Sequence, residues 1–342
     1  MSIELLKELS ETPGIPGREE NIRKIVQREL KGVVDKMTVD NLGNLIAYRK
    51  GTSKKPKKVM YSSHMDEIGF IVQHIDDKGF LILDPCGGHD PRNTIVQRVK
   101  VLGKKELLGV VSWKCKPIHV QSDEDRKKSP SLDKIYVDLG LDVKEVKKLV
   151  EIGDPVVIHR DLEQYGNRVT GKALDNRTAV YTLIQALKKS KKNKDDVYAV
   201  FSVQEEVGLR GALVAAHQIA PDIGVALDTT LACDTPGVEA ENAITRLGEG
   251  VGLTVKDGSL ITDRALYEEF QALAKKKKIK HQPNLLTRGG TDGGAIQRAH
   301  DGAKTITLSL PTRYIHSSIE TIDLSDLEAK IALVAEYMKG SV

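Results

Sequence analysis

Aromatic side chains make up only 4% of the 342 residues, and tryptophan occurs once. Surfaces that stack bases or sugar rings are built from such rings, so little here suits a nucleic-acid reader or a carbohydrate hydrolase. The three cysteines, Cys86, Cys115 and Cys233, are far apart and form no CxxC pair. That argues against a disulfide framework and a thiolate zinc knuckle, and reduced, buried thiols are expected. No apolar run approaches the roughly 18 residues that a membrane span requires. The opening Met1-Ser2-Ile3-Glu4 lacks the basic and apolar regions of a secretory signal, so the protein is expected to be cytoplasmic. A strong charge bias is missing too. The formal net charge is +4, and the lysine runs at 54–58, 188–194 and 275–280 contain almost no aromatics. Two of them close helical patterns, where cations complement the helix dipole. Neither a nucleic-acid nor a membrane partner is expected.

With 40% hydrophobic and 29% charged residues, the composition is that of a globular protein. The length exceeds the prior of about 100–200 residues per domain, so two domains are expected. Helical spacing of apolar residues over 3–9 and 19–30 opens the chain, with Gly14-Ile15-Pro16-Gly17 as a break. Short strand patterns follow at 33–39, 44–48 and 58–62. From 68 to about 160 the texture changes to alternating strands broken by Gly, Asp and Pro, with one helical pattern at 142–150. Beyond it, helix and strand alternate: helix 178–189, strand 197–203, helix 209–219, strand 223–227, a helix near 263–278, strand 305–310 and a closing helix from 325. Such alternation predicts an α/β fold, a mixed sheet sandwiched by helices, formed by residues 1–67 and 165–342. Residues 68–164 read as an inserted β-rich, barrel-like domain.

The chemistry-bearing residues fall at predicted strand ends: His64 after 58–62, Glu205 and Glu206 after 197–203, Asp228 after 223–227, and His316 after 305–310. Asp175, just before a helix, joins them. In an open α/β sheet ligands bind outside the carboxyl ends of the strands. Taken singly each residue has a structural explanation, Asp175 as an N-cap and Asp228 as the start of a turn. Taken together, two imidazoles and several carboxylates form a mixed N/O set suited to zinc, cobalt or manganese. Five such ligands are too many for one tetrahedral zinc and suffice for two ions sharing a carboxylate. Asp66, two residues beyond His64, is placed to accept from that ring and set its tautomer. Neighbours in a strand point to opposite faces, so Glu205 and Glu206 can address one site only if the chain bends between strand and helix. The glycine-rich Arg288–Gly294 is not a phosphate loop, since it lacks the GK[ST] ending. It reads either as a turn or as a place where backbone approaches the site. His89, His119, His159 and His281 carry no assigned chemistry.

The stretches His64-Met65-Asp66, Ala173-Leu174-Asp175-Asn176-Arg177, Ser202-Val203-Gln204-Glu205-Glu206-Val207-Gly208, Ala226-Leu227-Asp228 and Thr312-Arg313-Tyr314-Ile315-His316-Ser317 resemble, in order, the motifs of the glutamyl aminopeptidase/cellulase M family. Its archaeal members are the tetrahedral aminopeptidases. The resemblance implies a zinc-peptidase-like catalytic domain and two divalent ions, zinc or cobalt foremost and manganese as a third choice. His64 and Asp228 would bind one ion, Glu206 and His316 the other, and Asp175 both. Glu205 would be the general base and Asp66 the partner of His64. The implied reaction removes N-terminal residues from peptides through a hydroxide bridging the ions. The implied assembly builds dimers through the β insert and closes them into a tetrahedral dodecamer. Competing readings are a related dimetal deacylase or carboxypeptidase, an endo-glucanase, and a non-enzymatic oligomeric scaffold.

Overall fold

The computed structural model describes residues 3–340. Its main sheet has eight strands in the order Lys36–Val39, Leu45–Arg49, Asp196–Ser202, Lys58–His64, Ile223–Leu231, Lys304–Thr312, Val251–Lys256, His281–Leu285. The four from Asp196–Ser202 to Lys304–Thr312 run parallel, so their carboxyl ends share one edge. Alternation along each strand sends side chains to two cores. Val59, Tyr61, Ala199 and Phe201 enter a large one shared with helices Leu174–Ser190 and Leu324–Met338. Met60 and Val200 enter a smaller one with Ala212, Ala215, Ala216 and Ala295. The sheet is therefore covered on both faces, which explains why its central strands read as near-continuous apolar runs. Small residues keep the second layer close. A Cβ on Gly211 would lie 2.3 Å from Asn44 Oδ1 and 2.4 Å from the Val203 carbonyl, so this helix start tolerates only glycine.

The barrel-like reading of the insert agrees with a closed six-stranded barrel, ordered Gly69–Ile75, Leu81–Cys86, Ile135–Asp138, Glu106–Trp113, Arg98–Leu102, Pro155–Ile158. It has its own core, including Phe70, Val72, Leu83, Val99, Val137 and Val156, and closure leaves it no free edge. A three-stranded sheet of Glu163–Tyr165, Arg168–Gly171 and Glu320–Asp323 follows it.

Several expectations need correction. The strand expected to end at 227 continues to Leu231, because the β-branched Thr229 and Thr230 extend it, so Asp228 lies within the strand. Ile135–Asp138 and Val251–Lys256 are further strands beyond those the sequence patterns predict. His281–Leu285 contains Pro283, which is compatible with its position at the sheet edge. The thiols are not uniformly buried. Cys86 is buried, but Cys233 is half-buried and Cys115 exposed, the last lying just past a barrel strand in the 114–134 connection. No helix of the described residues is long and apolar enough to cross a membrane.

Candidate active site

Parallel register brings the predicted donors to one edge. His64, the last residue of its strand, pairs with Ser202, three residues before Glu205. Its Nε2 lies 3.4 Å from Asp175 Oδ1, 3.8 Å from Asp228 Oδ1 and 3.9 Å from Glu205 Oε2. His316 Nε2 lies 3.3 Å from Glu206 Oε1 and 3.6 Å from Asp175 Oδ2. The two oxygens of Asp175 thus face different imidazoles. The sets His64, Asp175, Asp228 and Asp175, Glu206, His316 each offer ligand atoms within 4.8 Å of one another. A third set of the same compactness, His64, Glu205 and Glu206, ties the two together.

The local chain is shaped to do this. The strand ends at Ser202, and Gln204 turns into the left-handed region at φ 55°. This is the bend that lets two adjacent glutamates face one site. The Asp66 carboxylate spans it, accepting from the Glu205 amide through Oδ1 and from the Glu206 amide through Oδ2, both at 3.1 Å. Its oxygens serve those amides, and beside His64 the same residue offers both its main-chain carbonyl and its carboxylate. His64 Nδ1 sits 3.0 Å from the Asp66 main-chain carbonyl and 3.6 Å from the carboxylate. Asp175 and Asn176 hold non-helical angles ahead of the regular helix, and the peptide bond between them is cis.

Two buried residues escaped the sequence reading. Glu320 accepts from the Asp175 amide at 3.0 Å and the His316 amide at 2.8 Å. Lys330 donates to the Asp228 carbonyl at 2.7 Å. Buriedness at these positions is the only signal that could have found them, and a charged residue in a sequence carries no such mark.

The electrostatics indicate what the site fits. Burial pushes Glu205 and Asp228 well above the usual carboxylate range, and neighbouring acids add to it although His64 opposes. Glu206 is raised by burial as well. Burial would raise Asp175 too, but hydrogen bonds from His316 and His64 outweigh it and hold it below the usual range. Burial would lower His316, yet its bonds to Asp175 and Glu206 push it up to about 12. Four acids facing two imidazoles, Asp228 buried and Asp175, Glu205 and Glu206 partly so, offer more negative charge than the imidazoles can offset, which is the condition that bound cations relieve. The donor set therefore fits divalent metal ions, with imidazole and carboxylate ligands in a compact, largely buried cluster.

A cavity of about 580 Å³ opens onto these groups, with Leu209, Leu231, Leu286, Ile315 and Arg288 on its walls. Another of about 520 Å³, around Asp222, Glu269 and Lys304, lies at the opposite ends of the strands and contains none of these donors. The glycine-rich segment lines the first through Arg288, Gly289, Gly290 and Thr291, and from Asp292 it is the start of a helix, Asp292–Gln297, rather than a turn. The Gly258 amide donates to the Gly289 carbonyl at 2.7 Å, and Thr291 Oγ1 donates to Asp257 Oδ2 at 3.2 Å. A Cβ on Gly294 would lie 2.3 Å from Ser259 Oγ. Glycine thus permits close packing on the 257–259 turn, and the packed segment forms a cavity wall.

A helix-covered sheet whose strand ends gather histidines and carboxylates, interrupted by a small barrel, defines the class: a metal-dependent peptidase. The chain belongs to the M42 glutamyl aminopeptidase family, whose model matches residues 43–333, and it is a metal-dependent aminopeptidase. It is 36% identical over 345 residues to the lysyl aminopeptidase of Pyrococcus furiosus, covering 98% of this chain and 96% of that one. Its fold superimposes on aminopeptidase APDkam598 from the archaeon Desulfurococcus kamchatkensis with a TM-score of 0.94 at 38% identity, covering 98% and 94% of the two chains. It also matches the Pyrococcus horikoshii TET1 peptidase, which can assemble into a tetrahedron or a large octahedral shell, with a TM-score of 0.87 at 33% identity over 98% and 99%.

Proposed function

We propose that this aminopeptidase works with two divalent ions, one held by His64 and Asp228, the other by Glu206 and His316, with Asp175 shared. The observation that carries this reading is that Asp175 Oδ1 faces His64 and Oδ2 faces His316. Zinc or cobalt, and after them manganese, suit such ligands. When bound, the ions supply Lewis acidity, polarising the scissile carbonyl and lowering the pKa of water toward ~7. Glu205 takes the proton from the attacking water and returns it to the leaving amine. Asp66 fixes the bend that carries Glu205 and Glu206 through the two amides it accepts. His64 is kept in one orientation by the Asp66 carbonyl at its Nδ1, which leaves Nε2 free to ligate. A glycosidase reading through Glu205 and Glu206 alone leaves His64, Asp228 and His316 without work.

A free substrate α-amine would be held at the site lined by His64, Asp175, Glu206, Asp228 and His316, which would make the enzyme act on N-terminal residues. A panel of free and N-acetylated aminoacyl substrates tests this. Hydrolysis of the free forms only, abolished by chelation and restored by zinc, cobalt or manganese, is the expected result. Equal turnover of the acetylated forms would instead indicate a deacylase or an endo-acting enzyme. Within the panel leucyl should exceed lysyl substrates, despite the lysine preference in the relative's name. Leu209, Leu231, Leu286 and Ile315 line the cavity, and Arg288 is the only Lys or Arg among its lining residues.

The barrel, residues 68–164 as the sequence delimits them, is proposed as the self-association domain that builds dimers and from them a tetrahedral dodecamer. Val96, Leu108 and Val110 expose aliphatic surface on it at 88%, 57% and 48%, a cluster that association would bury. Light scattering should return a closed oligomer. A stable monomer at micromolar concentration would remove this part of the proposal.

A further inference from the structure

Beyond Ser202 the chain leaves the sheet, and the segment bearing the proposed base has no strand partner. Four successive amides there are held by side chains instead. Val203 N–H donates to Asn44 Oδ1, Gln204 N–H to Glu19 Oε1, and the Glu205 and Glu206 amides to the two oxygens of Asp66, all at 3.1 Å. On the other side, the carbonyls of Val203, Gln204 and Glu205 accept from Gly211, Arg210 and Leu209, at 3.0, 3.2 and 2.9 Å.

Glu19 stands apart in this set. Asp66 follows two residues after His64 and grips both glutamates together, whereas Glu19 comes from the N-terminal segment and grips only the residue that turns. It is 3% exposed, and its Oε1 also accepts from the Gly17 amide at 2.7 Å. One buried oxygen thus ties the Gly14–Gly17 turn to the left-handed Gln204. A non-glycine residue at φ 55° persists where its surroundings over-determine it. The direction in which Glu205 leaves the strand depends on that residue.

We infer that Glu19 is a positioning residue for the hydrolytic step, holding the Gln204 amide so that Glu205 is aimed at the attacking water. This rests on the assignment of Glu205 as base. The role is that of an acceptor rather than of a charge, since both partners are neutral amides. It follows that glutamine, whose carbonyl oxygen also accepts, can replace it, whereas alanine and the shorter aspartate cannot. Misplacement by about 1 Å is enough to cost up to ~10²-fold in rate.

The test compares metal-loaded Glu19→Ala, Glu19→Asp, Glu19→Gln and Glu205→Gln on one free aminoacyl substrate, with metal content and thermal unfolding of each recorded. Expected for Glu19→Ala is a kcat lower by about 10–100-fold, with KM within a few-fold of native and the native metal content. Glu19→Asp should show a smaller loss of the same kind, and Glu19→Gln should stay close to native. If the alanine variant does not fold, the aspartate variant carries the test, because it keeps the charge and most of the volume. Native kcat in the aspartate variant, or equal losses in the glutamine and aspartate variants, would overturn the inference. A fully active Glu205→Gln would remove the base assignment itself, which is a different failure.

Discussion

Glu205→Gln will retain its metals and lose activity by about 10²–10⁴-fold, the range that a positioned general base contributes. The amide keeps the shape of the side chain and still accepts a hydrogen bond, but it cannot carry a proton. Glu206→Gln supplies the contrast. Glu206 lies 3.3 Å from His316 and belongs to the compact set with Asp175, so its neutralisation should show first as loss of bound metal. The two adjacent acids are thereby separated by what each loss affects, chemistry at intact metal content or metal content itself. Metal analysis beside steady-state kinetics decides it. A Glu205→Gln enzyme at native kcat, or one stripped of an ion, would reverse the division of labour.

Asp175→Asn should be the most damaging single change to metal binding. Its two oxygens face His64 and His316 from opposite sides, at 3.4 and 3.6 Å, so each half-site loses an anionic donor at once. Asparagine retains one weaker acceptor oxygen and no charge. Outer-shell changes already cost roughly 10–100-fold in metal affinity or activity, and removal of a shared ligand should exceed that at both half-sites. His316→Ala should weaken one ion and spare the other. Metal content after gel filtration, measured by elemental analysis, distinguishes the two. An Asp175→Asn protein that keeps two ions per chain with native affinity would refute the shared-ligand assignment.

Much of this centre was legible in the amino-acid order because its marks are local. A β-branched or apolar run followed by His64, by Glu205 and Glu206, or a few residues later by His316, signals a strand and a chemical group on one short stretch. Asp228 carries the same mark, although its strand runs three residues further, to Leu231. Asp66 stands beside His64 as its position suggests, with the main-chain carbonyl 3.0 Å and the carboxylate 3.6 Å from Nδ1, and the same carboxylate also accepts from the Glu205 and Glu206 amides. Nothing in the spacing distinguishes those two uses of one residue.

Glu320 and Glu19 mark where the reading runs out. Each looks like a surface acid in its own segment, and each accepts from backbone amides far along the chain, 145 residues away for Glu320 to Asp175 and 185 for Glu19 to Gln204. By itself the sequence determined the fold class, the barrel-like insert and the kinds of donor available, since periodicity and residue chemistry are properties of short windows. Tertiary structure alone decided which strands lie side by side and in what register, and with that which oxygens of Asp175 face which imidazole and which buried acids hold the bend. These depend on contacts between segments that share no local signal, and they arise only when the two cores close on the sheet.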